Sequence, residues 1–290
     1  MSTLTNLAIP GFIALMILEA VVAARRNADA YEVRDTATSL AMGIGNVVIN
    51  LGWKGVAFAA YSALYEVRFL DLGHGALAWI ALLFAEDLCY YWFHRAHHEI
   101  RFFWAAHVTH HSSQRYNLST ALRQSWTSSM TGLIFWTPLP LLGFEPVMIM
   151  TMMSVSLLYQ FWIHTELIDK LGPFEWAMNT PSHHRVHHGA NVRYLDRNYA
   201  GIFILWDRLF GTFEPEVEPV RFGLTKNIDS HNPVWVAFHE WVGIVRDVIH
   251  APSAAAALGY VFAPPGWSPD GSTVTSKQMQ EARQQMAVSA

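Results

Sequence analysis

Residues 76–99 read ALAWIALLFAEDLCYYWFHRAHHE. The first part, Ala76 to Phe93, is apolar over nearly the ~20 residues that a helix needs to cross a hydrocarbon core of ~30 Å. It then runs without a break into His94, His97 and His98. Continued as a helix, His94 and His98 stand four apart and share one face, one turn from each other; His97, three from His94, is also within reach, and spacing alone does not choose. The segment therefore reads as a membrane helix that emerges from the bilayer presenting imidazoles. Inside its apolar part sit Glu86 and Asp87. A carboxylate there is costly, so these two are candidates for a role near the imidazoles or in helix pairing.

Working outward, more histidines follow in groups. His107, His110 and His111 form HVTHH, and His183, His184, His187 and His188 form HHRVHH, with His164 between the two groups. Eleven of the chain's fifteen histidines fall between His94 and His188. A lone histidine on an apolar helix is ordinarily a satisfied core residue. Two copies of H-x-x-H-H beside a third cluster are not explained that way, and neutral imidazole is the commonest metal ligand. A catalytic zinc takes three protein ligands and a structural zinc four, so eight or more histidines fit two metals. All-imidazole ligation suits Zn, Cu, Fe or Ni, and spacing does not choose among them. Carboxylates expected to orient the rings are Glu86, Asp87, Glu99, Glu166 and Asp196.

The rest of the chain reads as a membrane scaffold. It is 52% hydrophobic and 14% charged over 290 residues, against about 25% charged in a soluble domain. Its mean hydropathy is +0.19. A formal charge of −4 argues against a nucleic-acid partner. Cys89 stands alone, which excludes an internal disulfide and thiolate clusters. Further candidate spans are Leu7–Ala24, Ala37–Leu64, Met130–Leu142 and Pro146–Ile163, the last two joined by the turn LGFEP. With Ala76–Phe93 this gives four to five spans, the short hairpin being either crossing or re-entrant. Arginines follow the first apolar run and none precedes it, which favours an uncleaved span over a signal peptide. Arg25, Arg26 and Arg34 place the loop after it in the cytoplasm. Counting onward brings all three histidine clusters to that same face. Tyr90–Phe93, Phe102–Trp104 and Phe161–Trp162 supply the aromatics that gather at membrane interfaces.

The expected fold is thus all-α: a helical membrane bundle with a cytoplasmic helical cap holding a di-metal histidine site. Residues 1–265 form the membrane-embedded domain, with the catalytic core at 76–215. Residues 266–290 are polar, lack periodicity, and read as a disordered tail. Pro233–His250 is amphipathic and is suited equally to the membrane surface or to packing on the core.

The ordered boxes H-x-x-x-H, H-x-x-H-H and, after a hydrophobic hairpin, H-x-x-H-H resemble the fatty acid hydroxylase/sterol desaturase superfamily. So do the longer stretches YYWFHRAHHEIRFFWAAHVTHHSSQRYNLSTALRQS, LLYQFWIHTELIDKLGPFEWAMNTPSHHRVHHG and YLDRNYAGIFILWDRLFGTFEPE, with FGLTK and LGYVFAPPGW beyond them. The likeness covers roughly Tyr31 to Trp267 and touches both the ether-lipid monooxygenase and the bacterial C-5 sterol desaturase branches. It implies a membrane di-iron enzyme using O2 and an external electron donor to hydroxylate or desaturate an unactivated C–H bond of a lipid. Carried over box by box, it implies metal ligands at His94, His98, His107, His110, His111, His184, His187 and His188, with His164 as a ninth. His183 either ligates or hydrogen-bonds a ligand, and His97 stands where the family has a small residue. Cytochrome b5-like, ferredoxin-type and tetrahydrobiopterin donors all remain open, because the sequence carries no fused haem module.

Sterol, fatty acyl and ether-lipid (alkylglycerol) substrates also remain open. The polar segment 112–125 offers Arg115, Asn117, Arg123 and Gln124 either to a lipid head group or to a plain loop over the metals. Met148, Met150, Met152 and Met153 offer adaptable surface to an acyl chain or simply to packing. A zinc-dependent membrane hydrolase and a non-catalytic lipid-binding protein are the competing classes, distinguished by an absence of O2 uptake.

Overall fold

The computed structural model describes residues 3–26 and 29–288. Among these the chain is helical, with isolated bridges at Met178–Phe203 and Gly189–Phe222 in place of any sheet. Helix α1 spans Thr3–Arg25, α2 Val33–Tyr65 and α3 Ala76–Glu99. These three are long and apolar enough to cross a membrane. In α2 only 6% of the apolar window is buried by protein, so the remainder needs lipid against it. Glu32 starts α2 by accepting from the amides of Arg34 and Asp35, two donors that the first turn leaves orphaned.

Met130–Leu142 does not form a span. It breaks into the short helices Ser128–Gly132, Leu133–Trp136 and Pro138–Leu142, because Pro138 and Pro140 lack the N–H groups that would continue the ladder. Gly143 then turns at φ +101°, with its Cα facing Leu70 O so closely that a Cβ would fall 2.3 Å from it. Helix α4, Pro146–Trp162, returns over about 25 Å, short of a full crossing. The hairpin instead packs inward. Met148, Ile149 and Met152 of α4 join Leu82, Tyr61, Trp136, Leu139 and Phe144 in one buried cluster, and Phe12 of α1 stacks on Phe161 at 4.0 Å.

The segments that follow build a layer at the end where α3 finishes and α2 begins. They include α5, Pro181–His187, and α6, Pro233–Ile249. Next come α7, Ala254–Phe262, and α8, Ser276–Val288. Asn232 caps α6 by accepting from Val234 N and Trp235 N, with Pro233 in the first turn, a strong start signal. The polar segment expected to lack order holds α8. It is tied to the rest by Gln280, donating to Leu195 O at 2.8 Å, and by Arg283 facing Glu218 at 3.6 Å. Composition alone does not reveal such long-range partners.

Candidate metal centre

Three of the four histidine-bearing elements are helical turns. His94 and His98 lie in the last two turns of α3, His110 and His111 in the single turn Val108–His111, and His184 and His187 in α5. His164 follows directly on α4. All nine of the proposed ligand histidines are buried. The fold gathers them into two nests. His94, His98, His107, His111 and His187 each bring one ring nitrogen within 4.8 Å of the others, and His110, His164, His184 and His188 do the same.

The sequence boxes map onto the nests by helix geometry. Side chains four apart share a face. The pairs His94/His98 and His107/His111 accordingly enter the five-histidine nest, and His184/His188 the four-histidine nest. Adjacent residues diverge by about 100° on a helix. His110 and His111, and likewise His187 and His188, therefore split between the nests. The nests lie side by side, with His111 and His188 stacked at 4.3 Å and 23°.

The tautomers follow from the outer contacts. His94 Nδ1 is 2.7 Å from Tyr199 O, His164 Nδ1 2.7 Å from Gln160 O, and His187 Nδ1 3.0 Å from Arg197 O. A carbonyl only accepts, so each Nδ1 carries the proton and donates, leaving a lone pair on Nε2. His98 Nδ1 faces Asp196 Oδ1 at 3.5 Å, which sets it the same way. The inward nitrogens then crowd one another. Nε2 of His107 stands 3.0 Å from that of His94 and 3.1 Å from that of His111. Nε2 of His164 stands 3.2 Å from that of His110 and 3.0 Å from that of His184. Nε2 of His98, His187 and His188 has no hydrogen-bond partner among the described residues.

The inward nitrogens of His98, His187 and His188 are buried without a donor, and each of the other close pairs can bond only if one of its rings turns a proton inward. A cation at the centre of each nest gives these nitrogens a partner. Burial first, then the neighbouring imidazoles, hold His107, His111, His184 and His188 well below the ordinary histidine value. His110 and His187 are held down in the same way. A metal requires this neutral form. The residues therefore fit two transition-metal ions, with five imidazoles for one and four for the other.

The remaining candidates have other partners. His97 stands apart from both nests, with Nδ1 2.7 Å from Phe93 O and Nε2 2.8 Å from Thr131 Oγ1. His183 lies outside too, with Nε2 4.0 Å from Glu175 Oε2. Among the carboxylates, Asp196 meets a nest ring directly. Glu99 accepts from Arg95 Nε at 2.9 Å and lies 3.4 Å from Tyr199 Oη. Glu86 accepts from Trp136 Nε1 at 3.2 Å. Asp87 accepts from Ile202 N at 2.7 Å, Phe203 N at 2.9 Å and Trp206 Nε1 at 2.9 Å. It thus grips the loop whose Tyr199 carbonyl orients His94. Gly201 permits that approach, since a Cβ there would meet Asp87 Oδ1 at 2.7 Å.

Sequence reasoning missed Asp207, which caps the same loop through Tyr199 N and Ala200 N, both at 2.8 Å. It also passed over Glu19 as a partner. This carboxylate of α1 accepts from Tyr31 Oη, from Leu118 N and from Thr165 Oγ1, the residue after His164. The signal for Glu19 was available, as a carboxylate inside an apolar span.

The head-group candidates are engaged within the protein. Arg123 donates to Asp35 Oδ1 and Ser112 Oγ, both at 3.0 Å. Asn117 donates to Ala30 O at 2.6 Å, Arg115 to Asp29 O at 2.7 Å, and Gln124 to Ala121 O at 2.8 Å.

Comparison with known proteins bears on the same segment. Residues 79–212 match the fatty acid hydroxylase family. The chain is 42% identical over 265 residues to the alkylglycerol monooxygenase of Homo sapiens, covering 90% of this chain and 59% of that protein. It is 42% identical over 267 residues to that of Danio rerio, covering 91% and 60%. Lathosterol oxidase of Mus musculus is 28% identical over 168 residues, covering 53% of this chain and 52% of that protein. The chain thus spans about three fifths of the length of the alkylglycerol monooxygenases it matches. No solved structure matches it.

Proposed function

The chain belongs to the fatty acid hydroxylase family, and from that premise we propose that it is a membrane di-iron oxygenase inserting oxygen into a lipid C–H bond. The observation that carries this reading is the pair of all-imidazole nests. Five and four imidazoles exceed the three protein ligands that leave a catalytic zinc its open position. Iron held there would supply O2 activation for attack on an unactivated C–H bond, with electrons from an external donor.

The chain's own residues do the holding and the shielding. The five-histidine nest is oriented by Tyr199 O, Arg197 O and Asp196, and the four-histidine nest by Gln160 O. Fixing the outer nitrogen of each ring fixes the direction of the inner lone pair. Burial of all nine rings keeps bulk water from the reacting region, which limits side reactions. Neutral ligands leave the net charge of the site to the metals and what they bind.

Similarity along nine tenths of the chain favours an ether lipid of the alkylglycerol class as substrate, ahead of a sterol or a fatty acyl chain. The arginines that follow α1 support a cytoplasmic placement of the centre. The test is to load the purified protein anaerobically with iron and supply a reductant. O2 uptake is then followed with an alkylglycerol, a sterol and a phospholipid, using 18O2 and mass spectrometry. A gain of one labelled oxygen on the alkylglycerol is expected. Loss of two hydrogens from a sterol would move the assignment to desaturation, and a tightly held zinc with no O2 uptake would refute it.

A further inference from the structure

Helix α6 has two faces, and the catalytic reading uses only one of them. Its inner face is fastened to the metal-site layer. Val236 and Ala237 bury against Met42 of α2, and Val236 O accepts from Thr109 Oγ1 at 2.9 Å. Thr109 lies between His107 and His110 in the second box. Arg101 holds Glu240 at 2.7 Å and Asp247 at 2.8 Å, and Trp241 Nε1 donates to Thr127 Oγ1 at 3.2 Å. Both carboxylates of α6 are thereby turned inward.

The outer face is apolar and bare. Val234, Phe238, Val242, Val245 and Ile249 recur at helical spacing, with exposures of 59, 38, 50, 58 and 72%. Leu258 and Phe262 of the adjoining α7 extend the surface, also more than half exposed.

The level of this surface identifies what covers it. With 33 residues, α2 is about 50 Å long, some 20 Å more than the hydrocarbon core of ~30 Å. The excess falls at its start, where Asp35, Thr38 and Ser39 are buried against protein. Met42, the contact for α6, therefore sits close to where α2 enters the hydrocarbon. From there on Ile44, Val47, Val48 and Leu51 are exposed, as lipid-facing residues are. Trp126, which donates to Met42 O at 3.1 Å, packs on Gly45 and lies 6.2 Å from Phe238, so the stripe of α6 begins beside that lipid-facing surface. Its exposed cation is Arg246, whose long stem can lift the charge to the head groups.

We propose that α6, with α7 beside it, lies in the bilayer interface, its outer stripe in the boundary between lipid head groups and acyl chains. Through Val236 and Thr109 the membrane surface then sets the position of the second histidine box. The inference needs only that α2 spans the membrane, and holds whichever reaction the centre performs.

The test uses the full chain with Cys89, its one cysteine, replaced by serine. Single cysteines are introduced as Val242→Cys or Val245→Cys, with Lys277→Cys on α8 as the control, and labelled with a bimane fluorophore. The protein is placed in nanodiscs of phosphatidylcholine and phosphatidylglycerol carrying nitroxides either near the head group or deep in the acyl chain. Expected is at least twofold quenching at 242 and 245 by the shallow nitroxide, weaker quenching by the deep one, and none at 277. Quenching at 242 and 245 no greater than at 277 would overturn the proposal, as when a second copy of the chain covers the stripe. Stronger quenching by the deep nitroxide would overturn it as well. Metal content and melting temperature of each labelled protein establish that it is folded, and Ile249→Cys replaces any position that fails this check.

Discussion

Arg123 offers a sharp trial of what the polar segment 112–125 does, because the two readings of it predict different measurements. As a reader of lipid head groups, its loss would raise KM and leave stability alone. The structure gives it another task. Its side chain is 1% exposed and paired with Asp35, itself 9% exposed. It also holds Ser112, the residue after His111, through Nε. The substitution Arg123→Met keeps the stem and removes the charge. Asp35 then retains Ser113 Oγ but loses its cation. Breaking a buried pair by removing one partner costs about 3–5 kcal/mol.

For a chain of this size that corresponds to a fall of about 10 °C in melting temperature, at roughly 2–4 °C per kcal/mol. Membrane proteins commonly unfold irreversibly, so the loss is read as the rate of inactivation in one fixed detergent. The companion Arg123→Met/Asp35→Asn removes the stranded charge and is expected to recover about half of the loss. In a double-mutant cycle the coupling would then be at least about 2 kcal/mol, larger by whatever Asp35→Asn costs alone. A single variant that melts within about 2 °C of the parent, with KM alone increased, would refute the pairing argument and restore the head-group role.

Three further outcomes follow from the nests. His184→Ala is expected to empty the four-histidine site, leaving three ligands, while the five-histidine site keeps its ion; metal per protein by mass spectrometry should fall from two to one. His97→Gln, outside both nests, should keep two ions and lose only about 1–3 kcal/mol for its two hydrogen bonds; loss of metal there would count it among the ligands after all. The metal-free protein should be acid-labile. The rings of His107, His110, His111, His184, His187 and His188 are held below their unfolded value of about 6.5 by burial, so below that pH the unfolded chain binds more protons. Stability is therefore complete above about pH 6.5 and falls as the pH drops toward the folded values, by up to about 1.4 kcal/mol per pH unit for each such ring. Unfolding of the stripped protein that is equal at pH 7.5 and 5.5 would contradict the burial described.

What could be read from the sequence, and what could not, divides along the range of the interactions involved. The pairs His94/His98, His107/His111 and His184/His188 are consequences of helix geometry, so their spacing is informative before any fold is known. The assignment of His110 and His187 to opposite nests is not local. It depends on which face of Val108–His111 turns toward α3 and which toward α4. The ring-orienting groups were the least legible, because three of them are main-chain carbonyls, of Tyr199, Arg197 and Gln160, and every residue type has one. The same limit applies to α8, whose order depends on partners some 65–85 residues away.

Polar character was legible in segment 112–125, but its direction was not. Arg123 and Asn117 face α2 and the chain just before it, and their burial makes them fasteners. Asp87 is the instructive intermediate case. A carboxylate in an apolar run announces a function, and here that function is mechanical. Its three accepted N–H groups fix residues 202–206, so the position of Tyr199 O, and through it the ring of His94, is set by a charge on the same helix two turns earlier. Helix α3 therefore both carries His94 and, by way of a loop more than a hundred residues downstream, orients its ring. An Asp87→Asn variant separates the two tasks. It leaves His94 in place but sets an amide N–H against a backbone N–H, so ions should still bind, with the five-histidine nest weakened in preference to the four-histidine one.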